Sequence, residues 1–210
     1  MELLNRQIET YIRRHTTRES ELLQHIVKET EAELDYSDMI SGGQVGQFIK
    51  LLVRFGKCKR VLEIGTFTGY SAVWIADALP EDGELITLEM NLRYKSISNK
   101  FLSREPYRNK IRQIDGPALE SIEKLNGMFD LVFLDADKVH YPDYYRVVKP
   151  KLKSGGVLVT DNTLWGGSVL APDDAKSRAV DRMNRLIQED ADFENVLLPV
   201  RDGVSVALKL

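Results

Sequence analysis

From residue 60 onward, short apolar runs alternate with longer amphipathic stretches. This alternation is typical of βαβ units, whose right-handed crossovers build a mostly parallel sheet with helices on both faces. The apolar runs predict strands at 60–65, 84–89, 111–115, 130–135, 156–161, 195–200 and 204–209. The amphipathic stretches predict helices at about 70–79, 92–104, 117–125, 142–152 and 174–190.

The last two predicted strands are separated only by Arg201, Asp202 and Gly203. Such a short connection is a hairpin, so the final strand must run antiparallel to its neighbour. The sequence therefore predicts an α/β fold, with a Rossmann-like sheet of seven strands that is mostly parallel and has an antiparallel last strand.

The first 59 residues have helical rather than strand periodicity. Two apolar stripes predict two helices, and a capping-box pattern at Thr16 and Glu19 precedes the second. A third helix is predicted at 43–55 and ends near Gly56. The two stripes consist of Leu3, Leu4, Ile8, Tyr11 and Ile12, and of Leu22, Leu23, Ile26 and Val27. With no repeat or linker in the chain, we expect one domain over 1–210, a helical extension at 1–36 followed by a core at 37–210.

Composition narrows the class of protein. Hydrophobic residues make up 43% and charged residues 29%, and the net charge is −3, so nothing attracts the whole molecule to nucleic acid or a membrane. The single cysteine, Cys58, excludes an intramolecular disulfide and argues against zinc, and we expect it to be buried. The charged N-terminus is unlike a secretory signal, and no apolar run approaches the ~18 residues of a membrane span. We expect a cytoplasmic protein without a membrane partner.

A glycine turn follows the first predicted strand. Gly65 and Gly69 bracket it, Glu63 precedes it, and Glu89 ends the second strand 20 residues after Gly69, where an acid suits a ribose diol. Phe67 stands where a dinucleotide-binding turn needs glycine to admit pyrophosphate. The pattern therefore favours a cofactor with ribose and adenine but no pyrophosphate, against the alternative of a purely structural turn.

Polar side chains also end the fourth and fifth strands, where parallel sheets bind ligands. Asp135 ends one strand, and Asp161 and Asn162 end the next. Two carboxylates and an amide oxygen suit Mg²⁺, Mn²⁺ or Ca²⁺ better than zinc, and two adjacent substrate oxygens could displace water from such an ion. The alternative is that these acids only cap the loops that follow.

Four motifs together resemble one enzyme family. They are LEIGTFTGYSA at 62–72, LEMN at 88–91, DADK at 135–138 and DNTLWGGSV at 161–169. In this order they resemble the small cation-dependent O-methyltransferases, which include catechol and caffeoyl-CoA O-methyltransferases and bacterial relatives. The resemblance covers about residues 37–210. It implies S-adenosylmethionine (SAM) as cofactor, a divalent cation and a sheet with an antiparallel last strand.

The resemblance also assigns roles to residues. It places the methionine end of SAM against Glu63, Gly65, Thr66, Phe67, Gly69 and Ser71. It places the ribose against Glu89 and the adenine against Met90, Gly116, Pro117 and Ala118. Met39 and Ser41 match a segment that closes over the cofactor, and Asp135 counts both as a cofactor contact and, with Asp161 and Asn162, as a metal ligand.

For the chemistry, the resemblance implies that Lys138 takes the proton from the attacking hydroxyl. We expect a nearby cation and the sulfonium of SAM to lower the pKa of Lys138, which would help it act as a base. Trp165 is expected to form an aromatic wall for the acceptor ring.

The acceptor is less well defined. The stretch 170–188 is shorter than its counterpart in the caffeoyl-CoA enzymes and has no aromatic residue, which favours a small catechol over a CoA thioester. A hydroxylated uridine of tRNA is the alternative if basic residues form a phosphate-binding track; otherwise they are scattered solvated charges. They are Arg13, Arg14, Arg18, Lys57, Lys59, Arg60, Arg104, Arg108, Lys110 and Arg112. A non-catalytic SAM-binding module is a third hypothesis, and because the family is often dimeric we expect a homodimer.

Overall fold

The computed structural model describes residues 5–36 and 39–210. One seven-stranded sheet has helices on both faces, which confirms the predicted class. The α-helices are α1 (Arg6–Arg14), α2 (Glu21–Glu33), α3 (Gly42–Phe55), α4 (Tyr70–Ala76), α5 (Leu92–Leu102), α6 (Ala118–Lys124), α7 (Tyr141–Val148) and α8 (Ala175–Glu189). The strands are β1 (Arg60–Ile64), β2 (Glu84–Glu89), β3 (Ile111–Asp115), β4 (Phe129–Leu134), β5 (Leu152–Asp161), β6 (Phe193–Leu198) and β7 (Val204–Lys209).

The strand order is 3-2-1-4-5-7-6, so β7 lies between β5 and β6. It runs antiparallel to both, which confirms the prediction for the final strand, whereas the pairings among β1 to β5 are parallel. The helix predicted at 142–152 is shorter, because Pro150 cannot donate a backbone hydrogen bond and the chain passes into a 3₁₀ turn at Lys149–Lys151. As a result β5 begins at Leu152 rather than 156.

The capping box predicted at Thr16 and Glu19 is wrong. Ser20 caps α2, and the Thr16 hydroxyl donates instead to the carbonyl of Ile12. Glu19 is occupied by a tertiary partner, because it accepts a hydrogen bond of 2.8 Å from the Tyr70 hydroxyl. Local sequence therefore predicts the helix but not its cap. Leu3 and Leu4 of the first predicted stripe lie outside the described residues.

Apolar side chains form one core on each face of the sheet. The core beneath α2 to α5 includes Ile26, Trp74 and Phe133, and the core beneath α6 to α8 includes Phe129 and Met183. Helix α2 is therefore part of the first core, whereas α1 buries no side chain.

Cys58 is buried in the first core, as expected, and burial raises the pKa of its thiol to about 11. Among the described helices, none combines the length and apolar character needed to cross a bilayer.

Candidate active site

The strand order reverses between β1 and β4, and the predicted motifs meet at this point. Ile64 pairs with Leu134, and Leu134 pairs with Thr160 on β5. Neighbouring strands lie about 4.8 Å apart, so the residues that follow, Gly65, Asp135 and Asp161, come side by side at one edge. Open α/β sheets bind their ligands at this kind of switch point.

Glycine at position 65 is required by close packing. Gly65 has φ = 101°, and a Cβ there would lie 2.1 Å from the carbonyl oxygen of Asp135. Any side chain would push the end of β1 away from the end of β4, and φ in this range is strained for other residues. The glycine thus keeps the turn and Asp135 in contact.

Glu89 is held across the turn by backbone donors. The N–H of Phe67 donates to its Oε2 and the N–H of Asn91 to its Oε1, both at 2.8 Å. Burial raises the pKa of Glu89, although these backbone donors act to lower it. Because the Phe67 N–H is already used, it cannot serve a pyrophosphate, whereas a fixed carboxylate can still accept from a diol. The geometry therefore agrees with the cofactor class predicted from Phe67.

Glu63 ends a buried chain of hydroxyls. Thr87 donates to its Oε2 at 2.5 Å, and the hydroxyls of Thr66 and Thr87 are 2.6 Å apart. The pKa of Glu63 is raised to about 8, mainly by burial and to a smaller extent by the charges of Asp135 and Glu89, while the hydroxyls of Ser71 and Thr87 act to lower it. The carboxyl is therefore a titratable group inside the glycine turn.

Replacing Glu63 should change how stability depends on pH. Its pKa is higher in the folded protein than the ordinary 4.5 expected for the unfolded chain, so its contribution is greatest below about pH 4.5 and falls as pH rises to about 8. Relative to wild type, Glu63→Gln should gain roughly 1–3 kcal/mol of unfolding free energy between pH 5 and pH 8.5. Urea unfolding of both proteins at the two pH values measures this gain. A difference independent of pH would contradict the assignment.

The residues expected around adenine form an open part of the site. The Gly116 N–H donates to the carbonyl of Glu89 at 3.2 Å, which places it beside the end of β2. Gly116 has φ = 109°, and a Cβ there would meet nothing within 4 Å. Met90 and Pro117 are exposed and Ala118 is half-buried. The space beside Gly116 can therefore admit a flat group.

On the opposite side, the segment expected to close over the cofactor reaches the acid pair. The Ser41 hydroxyl is buried and donates to Asp135 Oδ2 at 3.1 Å. Met39 is exposed. Ser41 therefore contacts the acid pair directly, whereas the role of Met39 stays a prediction.

Asp135, Asp161 and Asn162 supply the donor set expected for a cation. Asp161 is 2% exposed, and burial and the charge of Asp135 raise its pKa to about 7, while the Asn162 N–H, Lys138 and Arg201 lower it. The Asn162 side-chain nitrogen donates to Asp202, so its amide oxygen stays available as a ligand. No cluster of three or more His, Cys, Asp or Glu side chains suited to a metal occurs within 5–36 and 39–210.

The donor set is thus two carboxylates and one amide. Burial and the charge of Asp135 raise the pKa of Asp161, and a bound cation would stabilise the ionised carboxylate, so these oxygens fit a hard divalent ion.

Lys138 lies against the same acid pair. It is buried, and its Nζ donates to Asp135 Oδ1 at 2.8 Å and to the Tyr141 hydroxyl at 2.7 Å. Tyr141 in turn donates to the carbonyl of Asp161 at 3.0 Å. Burial lowers the pKa of Lys138, but Asp135 and Tyr141 outweigh it and raise that pKa well above its usual range. The carboxylate stabilises the ammonium here, and the lowered pKa expected beside a cation and the sulfonium of SAM stays a prediction.

Tyr141 is a site residue that the sequence analysis did not identify, since a tyrosine at a helix start is typical of packing. Its neighbours Asp137 and Tyr144 form a second contact, in which the Tyr144 hydroxyl donates to Asp137 at 2.6 Å. His140 also pairs with Asp137. Asp137 therefore holds the start of α7 in place rather than facing the acid pair directly.

Trp165 lies beside Lys138 in the loop after β5. Its ring centroid is 5.9 Å from the Lys138 Nζ and 5.8 Å from the Lys176 Nζ, and it is half-buried. Trp165 itself has φ = 45°, and Gly166 and Gly167 continue the turn with φ of 61° and 88°. The loop thus places an aromatic face next to the proposed reacting group.

Four of the ten basic residues considered for tRNA lie near the opposite edge of the sheet. Arg60 and Arg112 both pair with Glu84, at 3.2 and 3.6 Å, near the amino ends of their strands. Arg108 pairs with Glu105 and Lys59 with Asp82, again in loops that lead into strands. Because the acid pair lies at the carboxyl ends, this distribution favours the interpretation of scattered solvated charges.

Comparisons with known proteins agree with the fold and the motifs. A family model described as O-methyltransferase matches residues 13–210. Caffeoyl-CoA O-methyltransferase 1 from Arabidopsis thaliana is 33% identical over 207 residues, which cover 92% of this chain and 80% of that protein. Caffeoyl-CoA O-methyltransferase 2 from Petunia hybrida is 33% identical, over 88% of this chain and 82% of its own.

Two solved structures are similar throughout. The O-methyltransferase TomG from Streptomyces achromogenes, in complex with SAM, has a TM-score of 0.88 at 30% identity and covers 97% of this chain and 96% of its own. The methyltransferase PaMTH1 from Podospora anserina, bound to SAH, has a TM-score of 0.90 at 25% identity, with 97% and 94% covered. The chain described here therefore belongs to the O-methyltransferase family.

Proposed function

We propose that this O-methyltransferase uses SAM and a divalent metal ion to methylate one of two adjacent hydroxyls on a small catechol-like acceptor. The proposal rests on four side chains that lie together at one edge of the sheet: a half-buried acid, a buried acid, a buried lysine and an aromatic ring. They are Asp135, Asp161, Lys138 and Trp165. A binding module has no need of this combination, whereas methyl transfer to a hydroxyl does.

The glycine turn supports SAM as the cofactor. Gly65 and Gly69 let the backbone come close to a ligand, and the fixed Glu89 carboxylate suits the ribose hydroxyls. The open space beside Gly116 suits the adenine. Similarity to TomG, whose structure contains SAM, supports the same cofactor.

Asp135, Asp161 and Asn162 would hold the metal. Mg²⁺ bound by these residues would supply positive charge that favours the ionised form of an acceptor hydroxyl. The same three residues would orient the two oxygens of a vicinal diol by fixing the position at which they converge. Mn²⁺ and Ca²⁺ prefer oxygen ligands as well, so either could substitute.

Lys138 would receive the proton. With Lys138 neutral, the acceptor O–H bond would break and its proton would pass to the Lys138 Nζ, while SAM, when bound, would supply the methyl group that the acceptor oxygen receives. Asp135 and Tyr141 raise the pKa of Lys138, so its ammonium would first have to release a proton to solvent, which requires the Asp135 carboxylate to be engaged by another cation. Tyr141 keeps the Nζ in place throughout, through its hydrogen bond of 2.7 Å.

A methyl-transfer assay tests the proposal. Purified protein is incubated with labelled SAM and a panel of catechols, phenols lacking the second hydroxyl, and a tRNA with or without hydroxylated uridine. We expect methylation of catechols only, with Mg²⁺ present and not with excess chelator. Activity on monophenols, or activity that survives chelation, would exclude the two-oxygen metal site. Methylation of the hydroxylated tRNA alone would mean that tRNA, and not a small catechol, is the acceptor. The expected homodimer is tested separately by light scattering.

A further inference from the structure

The turn between β6 and β7 contacts the loop that follows β5 at four points. Residues 199–203 form the turn, because β6 ends at Leu198 rather than at the predicted residue 200, and the loop at 162–164 leads into a 3₁₀ helix at Trp165–Leu170. The N–H of Thr163 donates to the carbonyl of Gly203 at 3.0 Å, and the N–H of Leu164 to the carbonyl of Asp202 at 2.9 Å. The turn is therefore joined to the loop by backbone hydrogen bonds.

The carboxylate of Asp202 makes the other two contacts. Its Oδ1 accepts from the N–H of Gly166 at 2.6 Å, and its Oδ2 accepts from the Asn162 side-chain nitrogen at 3.4 Å. The Asp202 carboxylate thus contacts both the amide expected to bind the cation and the residue that follows Trp165.

The approach of the turn to the loop is set by a glycine. Gly203 has φ = 87°, and a Cβ there would lie 2.5 Å from Leu164 Cγ and 2.8 Å from Thr163 Oγ1. In β7, Val204 pairs with Asp161 at the end of β5. The position of Asp202 relative to the acid pair is therefore fixed by sheet register and close packing.

We propose that Asp202 is a positioning residue, which holds the Asn162 amide with its oxygen towards the cation and fixes the loop that carries Trp165. This inference rests on the proposed metal-dependent function. Asn162 has φ = 55° and an amide that could in principle face either way, so an acceptor on its nitrogen side decides which atom faces the metal. A carboxylate does this because it can only accept.

Asp202→Asn tests the orientation with little change in shape. The new amide can still accept from Gly166, but its nitrogen would face the Asn162 nitrogen, and two donors cannot pair. We expect the dissociation constant for Mn²⁺, measured by calorimetry without acceptor, to rise about 10–100-fold, as for other partners of metal ligands. Affinity for SAM and the thermal midpoint should stay close to wild type. Asp173→Asn, at an exposed acid earlier in the chain, is the matched control.

A double-mutant cycle separates orientation from loss of charge. In the Asn162→Asp background position 162 only accepts, so adding Asp202→Asn restores a donor opposite it. We expect Asp202→Asn to weaken Mn²⁺ binding in the wild-type background and to strengthen it in the Asn162→Asp background. Weakening in both backgrounds would mean that only the charge matters and would overturn the proposal, as would unchanged binding in the wild-type background. If wild-type protein fails to bind Mn²⁺, the metal-dependent function itself fails.

Discussion

Lys138→Ala is expected to lower kcat about 10²–10⁴-fold, the range typical of losing a general base. Affinity for SAM should change little, because Lys138 contacts Asp135 and Tyr141 rather than the glycine turn. Steady-state rates with a catechol acceptor and calorimetric SAM titration measure the two effects separately. A fall in kcat without a matching fall in SAM affinity identifies a group that acts on the reacting atoms.

Two further variants show whether the loss is specific. Lys124→Ala removes an exposed lysine that pairs with Glu120, so it should leave kcat unchanged. Tyr141→Phe keeps Lys138 but removes one of its hydrogen-bond partners, so we expect an intermediate loss. Wild-type activity of Lys138→Ala at neutral pH would rule out the proton-accepting role.

Asp161→Asn is expected to abolish the response to Mg²⁺ at concentrations that saturate wild type. Losing a direct carboxylate ligand should raise the metal concentration for half-maximal rate beyond the 10–100-fold typical of outer partners. The folded protein without metal should be as stable as wild type or more stable, because burial and the neighbouring Asp135 disfavour the charge of Asp161. Rates over a Mg²⁺ titration and the thermal midpoint measure both.

This opposite movement of activity and stability distinguishes a ligand from a structural acid. If Asp161 only capped the loop after β5, the amide would lower stability and leave the metal response intact. Asp82→Asn provides the control, since Asp82 is exposed and pairs with Lys59 near the amino ends of the strands. It should alter neither quantity by a measurable amount.

The strands of the sheet and the polar residues at its carboxyl edge could be predicted from the sequence. Asp135 and Asp161 follow strands whose apolar runs are clear, and parallel pairing leaves little freedom in where strand ends lie. The antiparallel final strand also followed from the length of one turn. These features depend on local pattern and general rules of topology.

The remaining contacts depend on partners distant in the chain. Asp202 lies 40 residues from Asn162, and the sequence identifies its surroundings only as a turn. Tyr141 resembles a packing residue until its hydroxyl is placed between Lys138 and the carbonyl of Asp161. Glu19 is a credible helix cap until Tyr70 is available as a donor. In each case tertiary structure decides the pairing of a polar group.

Helix α2 and the residues just before it hold the glycine turn through contacts that are distant in the chain. Thr68, in the glycine turn, forms a hydrogen bond with Thr30, which is 38 residues away along the chain. Tyr70, just after the turn, forms one with Glu19, which is 51 residues away. Closing loops of this length costs entropy before the contacts are gained, and such long-range contacts slow folding. The glycine turn therefore depends on the segment from Glu19 to Thr30 for two of its contacts, so a protein that lacked residues 1–33 would retain the turn's sequence without these partners.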